Sequence, residues 1–202
     1  KCNKFYASVR KYDSSLAASL DKDNVPTEVY DNLIDTVNKN LPLLHRYLRL
    51  RKKVLKLDEL HMYDLYVPLV EQPSKNIPFE ESQEIVLKAL APLGSQYVED
   101  LRSAFESGWI DVYENQGKTS GAYSWGTYLT HPYVLLNYQG TVNDVFTLAH
   151  EMGHAMHSYY TNKTQPYIYS DYKIFVAEVA STVNESLLSH YLLKNTDDKK
   201  MK

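Results

Sequence analysis

Apolar residues recur every three or four positions along most of this chain, the spacing that gives a helix one buried face. Residues 1–20 carry an uneven version of it in Phe5, Val9, Tyr12, Leu16 and Leu20. The stretch DNVPTEVYDNLIDTVNKN offers Thr27 as an N-cap and then sets Val29, Leu33, Ile34 and Val37 on one side. Asn40-Leu41-Pro42 predicts a restart, with proline in the first turn of a second helix running to about Leu57. Three prolines in YVPLVEQPSKNIPF predict an extended connector over residues 66–79. Helical spacing resumes near Glu80, breaks around Pro92–Gly94 and continues to about Ser107.

The pattern changes at Asp111. Gly117, Gly121, Gly126, Pro132 and Gly140 punctuate β-branched and aromatic residues, and AYSW and HPYVLLNY are the strand candidates. Thr141 and Asp144 form a capping-box pattern that opens a helix to about Tyr160. A proline-containing connector over 161–170 leads to a last helix from about Asp171 to Leu193. The fold class expected is mainly α, with a small β segment at about residues 121–138. The chain divides into a helical segment 1–110, a β segment 111–140 and a helix pair 141–202.

Composition narrows the function classes. A net charge of −3 with interleaved signs leaves no basic footprint for nucleic acid. No apolar run approaches the roughly 20 residues that span a bilayer, and no basic-then-apolar leader opens the chain. The single cysteine, Cys2, excludes an internal disulfide framework and cysteine-rich zinc fingers, and it suits a reducing cytoplasm. The start at Lys1 and the charged end NTDDKKMK read as a piece of a longer protein.

Chemistry concentrates in TLAHEMGHAMHS, residues 147–158. His150-Glu151-Met152-Gly153-His154 fits His-Glu-x-x-His, which on a helix aims two imidazoles at one cation. Glu151 lies about 100° around the helix from His150, within reach of a water at the metal, where a general base belongs. Two polar neighbours on an amphipathic helix would show the same five residues. Gly153 costs about 1 kcal/mol in a helix interior, so something approaches that face closely, a ligand or another helix.

A third ligand is needed for an open zinc site. The extended zinc-protease pattern would place a third His where Tyr160 stands, so it fails. His157, one turn beyond His154, reads as a neighbour that supports a ligand or caps the helix. The last helix offers Glu178 and Glu185, with Asp171 a weaker candidate. His154 lies seven residues before position 161 and Glu178 eight after position 170. In an antiparallel pair, at ~1.5 Å per residue, both sit about 10–12 Å from the connector. Glu178 is therefore level with His154. Glu185 is nearer the level of His150, suited to accepting a hydrogen bond from a ligating imidazole.

HEMGHAMHSYYT followed by QPYIYSDYKIFVAEVASTVNE resembles the active-site helix pair of the oligoendopeptidase F group, within the zinc oligopeptidases that include thimet oligopeptidase. The resemblance extends upstream through GAYSWGTYLTHPYVLLNYQGTVNDVFTLAH and, more loosely, through LPLLHRYLRLRKKVLKLDELHMYDLYVPLV. It implies one Zn2+ per chain on His150, His154 and Glu178, Glu151 as base, and Glu185 as a supporting acid. It implies a helical, channelled fold that admits short peptides, with Gly121-Ala122-Tyr123 as an edge strand beside the bound peptide. An ordinary edge strand accounts for that segment equally well. The resemblance also implies that family members are several times longer and carry a transition-state-stabilising segment downstream of the part matched by this chain. The chain then reads as a partial catalytic domain, weakly active or inactive alone and prone to self-association through uncovered apolar surface. A non-catalytic helical module that binds a peptide or partner, and a metallohydrolase with non-peptide substrates, are the rival functions.

Overall fold

The computed structural model describes residues 1–70 and 76–196, so the middle of the 66–79 connector and the last six residues of the charged end lie outside the described residues. The chain separates into two compact units, residues 1–72 and 73–202.

In the first unit, the helical spacing of residues 1–20 is divided between α1 (Cys2–Val9) and α2 (Ser15–Asp21). Lys11 turns the chain with a φ of 64°, and the Ser14 hydroxyl caps α2 by accepting from the Ala17 N–H at 3.0 Å. Helix α3 (Thr27–Leu55) corrects two boundaries: Pro26, not Thr27, is the N-cap, and the helix runs through Pro42 without a restart. Proline there forfeits one backbone hydrogen bond at a cost of about 3 kcal/mol. Cooperative propagation on both sides carries the 29-residue helix across it. Arg51, buried near the end of α3, donates to the carbonyls of Asp64 (2.8 Å) and Val67. It thereby ties down the short 3-10 turn Met62–Tyr66. Leu33, Leu43, Leu44 and Leu50 of α3 remain exposed.

In the second unit, α4 (Phe79–Ala89) and α5 (Ser95–Glu106) flank the break at Pro92–Gly94. Three short strands follow: β1 (Ile110–Asp111), β2 (Tyr123–Trp125) and β3 (Tyr133–Leu135), in the order β1-β3-β2. β3 pairs parallel to β1 and antiparallel to β2, with Ser124 opposite Val134. The two residues of β1 are too few to show an alternation in the sequence. The chain is thus mainly helical with a small sheet.

Helices α6 (Val142–Thr164) and α7 (Ile174–Asn195) complete the unit. The capping box forms as read: the Asp144 N–H reaches the Thr141 hydroxyl at 3.2 Å, and the Thr141 N–H reaches Asp144 Oδ2 at 2.8 Å. Gly140, at φ +83°, precedes the cap, and a Cβ there would lie 1.9 Å from Asn76 Oδ1, so the entry to α6 takes glycine. Leu148, Met152 and Met156, four residues apart, bury α6 in a core with Val86, Leu90, Leu101, Leu136 and Leu188. This anchorage turns the neighbouring stripe of α6, with His150 and His154, toward α7. Among the described residues, no helix is long and apolar enough to cross a membrane.

Candidate metal centre

The α6–α7 pair is antiparallel: Ala149 and His150 lie against Asn184 and Glu185, while Gly153 lies against Ala180 and Ser181. His150 and His154 project from successive turns of α6, with ring centroids 4.8 Å apart and planes at 83°. Their Nε2 atoms are 3.2 Å apart. Glu178 of α7 brings Oε2 to 3.5 Å from His150 Nε2 and 3.4 Å from His154 Nε2. All three ligand atoms fall within 4.8 Å of one another. Asp171 is outside this group.

The other ring nitrogens decide what these atoms are. His150 Nδ1 pairs with the Glu185 carboxylate, and the Ala177 carbonyl accepts from the His154 ring. A ring that donates through Nδ1 presents a lone pair at Nε2 when neutral. Burial, the leading influence, pushes the His154 imidazole below its ordinary pKa and so favours that neutral form. With both rings neutral and protonated at Nδ1, two imidazole lone pairs and a carboxylate oxygen converge with no donor between them. Acceptors gathered in this way fit a cation, and two nitrogens with one oxygen are a donor set that zinc accepts.

Glu151 is 7% exposed, and its carboxylate accepts the Ser124 backbone N–H of β2. Burial pushes its pKa up, against the downward pull of His150. Glu178 is held below the ordinary carboxylate range, first of all by a hydrogen bond from Ser181. His157 is stacked on Tyr172, with centroids 3.8 Å apart, and its buried Nδ1 has no hydrogen-bond partner among the described residues. It lies in mid-helix, seven residues before the end of α6, so it caps nothing. Tyr160, at the position where a third histidine would stand, donates to Asp100 at 2.8 Å, and its pKa is raised first by burial and then by that bond. Gly121, at φ +93°, leads into the edge strand β2, and its carbonyl accepts from Asn137 Nδ2 at 2.8 Å. Ala122 packs against the core and Tyr123 is exposed.

Helix contact accounts for Gly153. A Cβ there would lie 2.7 Å from Ser181 Cα and 2.9 Å from the Ala180 carbonyl oxygen, both backbone atoms. Alanine would gain about 1 kcal/mol of helix propensity but would force the helices apart, and overpacking of this kind typically costs about 1–3 kcal/mol. The clash wins because neither backbone can rotate away. Gly153→Ala is expected to lower unfolding stability by up to about 2 kcal/mol net in a denaturant titration.

Sequence reasoning passes over Ser181, Asn184 and the Ala177 carbonyl, which join α7 to the candidate ligands and to α6. Asn184 donates to the Ala149 carbonyl at 3.0 Å. The available signal was polar Ser181 and Asn184 recurring at helical spacing after Glu178 in an otherwise apolar segment.

The profile of peptidase family M3 matches residues 1–202, the whole chain. The chain belongs to peptidase family M3. Among its relatives in the family, oligopeptidase PepF of Bacillus subtilis is 56% identical over 202 residues, all of this chain and 30% of that protein. Oligoendopeptidase F (chromosomal) of Lactococcus lactis is 48% identical over 200 residues, 99% of this chain and 33% of that protein. The chain thus spans about a third of the length of these relatives. A solved structure from Chlamydophila abortus superposes with a TM-score of 0.83 at 47% identity, covering 98% of this chain and 33% of the other. That of oligoendopeptidase-F from Enterococcus faecium gives 0.60 at 36% identity, covering 97% and 27%.

Proposed function

We propose that this M3 chain carries the zinc centre of an endopeptidase that hydrolyses internal bonds of short peptides. The observation that carries the reading is the convergence of His150 Nε2, His154 Nε2 and Glu178 Oε2 within 4.8 Å, with the His150 Nδ1 hydrogen-bonded behind it by Glu185. His150, His154 and Glu178 would hold one zinc ion. When bound, zinc supplies a Lewis acid that polarises the scissile carbonyl and acidifies water. Glu151 takes a proton from the attacking water and returns it to the leaving amine. Its burial raises the carboxylate's proton affinity, the direction a base needs. The edge of β2 at Gly121-Ala122-Tyr123 offers backbone groups to an extended peptide, and the Ser124 N–H fixes Glu151 beside that edge.

The relatives' names, oligopeptidase and oligoendopeptidase F, support peptide substrates over other metallohydrolase chemistry. Exposed Phe175 and Val179 on α7, with the leucines of α3, support the view that this chain works within a larger fold. Alone it is expected to turn over weakly or not at all, and to self-associate through those faces. The test is cleavage of a short quenched peptide by a full-length protein carrying these residues, with the 202-residue chain alongside. Expected are cleavage by the full-length protein, loss on chelation and recovery with zinc. Cleavage indifferent to chelator would sink the metal reading, and full activity of the isolated chain would sink the fragment reading.

A further inference from the structure

Three residues of α7 stand behind the three candidate ligands, and two of these supports are of kinds already described: Glu185 behind His150 and the Ala177 carbonyl behind His154. The third is Ser181. Its hydroxyl lies 2.8 Å from Glu178 Oε2, the same oxygen that faces both imidazoles. Ser181 is completely buried, at 0% exposure, while the Glu178 side chain is 58% exposed. An exposed glutamate samples several rotamers, at an entropic cost to any geometry that needs one of them. A fixed donor one helical turn away selects the rotamer that points Oε2 at the histidines.

We infer that Ser181 is a positioning residue for the metal centre, locking the Glu178 carboxylate in its ligating orientation, and that the close approach of α6 at Gly153 keeps the serine buried beside it. The inference rests on the zinc reading proposed above and adds a residue to it. Ser181 is completely buried, and a Cβ at Gly153 would lie 2.7 Å from its Cα, so α6 closes over the serine. The competing use of the hydroxyl is the Glu178 backbone carbonyl, 3.0 Å away, to which a buried serine donates for purely local reasons. One hydroxyl proton serves both acceptors. Only a role in positioning the carboxylate couples Ser181 to metal.

The experiment measures zinc affinity of a full-length protein carrying these residues by competition with a chromophoric chelator, with Co2+ absorption spectra as a second readout. Wild type, Ser181→Ala, Glu178→Ala and the double variant are compared, with melting of each metal-free form as a folding control. Ser181→Ala is expected to weaken zinc binding at least about tenfold, as loss of a partner behind a ligand does, and to change the Co2+ band. In the Glu178→Ala background the same change should have no further effect, because the side chain it positions is gone. Equal affinity of wild type and Ser181→Ala overturns the inference and leaves the zinc site standing. Weakening of the same size in both backgrounds overturns it too, by assigning Ser181 a general packing role. Absence of stoichiometric zinc in the wild type overturns the zinc reading and this inference together.

Discussion

Glu151→Gln is expected to retain zinc and to lose about 10²–10⁴-fold in kcat, the range by which a positioned proton-transfer group accelerates a reaction. The amide is nearly the same size as the carboxylate, so the 7% exposed pocket stays filled. It can still engage Ser124 through its carbonyl oxygen, but it has no basic oxygen to take a proton. Glu151 is also outside the converging His150–His154–Glu178 group, so metal content should be unchanged. Turnover is measured in a full-length protein carrying these residues, and zinc content in the same preparation. Loss of metal from this variant would reassign Glu151 as a ligand. Retained turnover would remove it from proton transfer.

His154→Ala is expected to lose both metal and turnover. His154 contributes one of three converging atoms, and its Nε2 lies 3.2 Å from that of His150 and 3.4 Å from Glu178 Oε2. Deleting it leaves one nitrogen and one carboxylate, which cannot enclose a tetrahedral ion. Affinity should fall by more than about 100-fold, beyond the 10–100-fold typical when only a partner behind a ligand is removed. The fold should survive, because the neighbouring Met152 and Met156 carry the packing of that part of α6. Chelator competition reads the affinity and circular dichroism the fold. Two variants one helical turn apart therefore separate proton transfer from metal binding: one keeps zinc without rate, the other keeps neither.

The helices were legible where periodicity, caps and breakers agreed. Thr141 and Asp144 announced α6, and Pro92–Gly94 separated α4 from α5. Pro42 reads as a break because its local penalty is visible in the sequence while the cooperativity of the 29-residue helix around it is not. The β1 strand escaped because two residues carry no period, and its pairing with β3 is a tertiary event.

The candidate centre divides in the same way. His150 and His154 are readable because helix geometry alone puts residues four apart on one face. Glu178 needed a further assumption, an antiparallel partner of matching height, and the structure brings it level with both histidines. Gly153 signalled a close approach but not whether the approaching group was a ligand or a helix; it is α7. Ser181 was not legible. A serine between alanine and threonine in a helix has many uses, and only the placement of Glu178 Oε2 gives this one a partner. His157, one turn from the candidate centre, packs on Tyr172.

The most direct measurement is the zinc content of the chain after dialysis, compared between wild type and His154→Ala by elemental analysis. One zinc ion per wild-type chain and none in the variant is the result expected from the convergence of His150 Nε2, His154 Nε2 and Glu178 Oε2. A wild-type chain that holds no stoichiometric zinc, or a variant that holds as much as wild type, would contradict the assignment of His150, His154 and Glu178 as a metal centre.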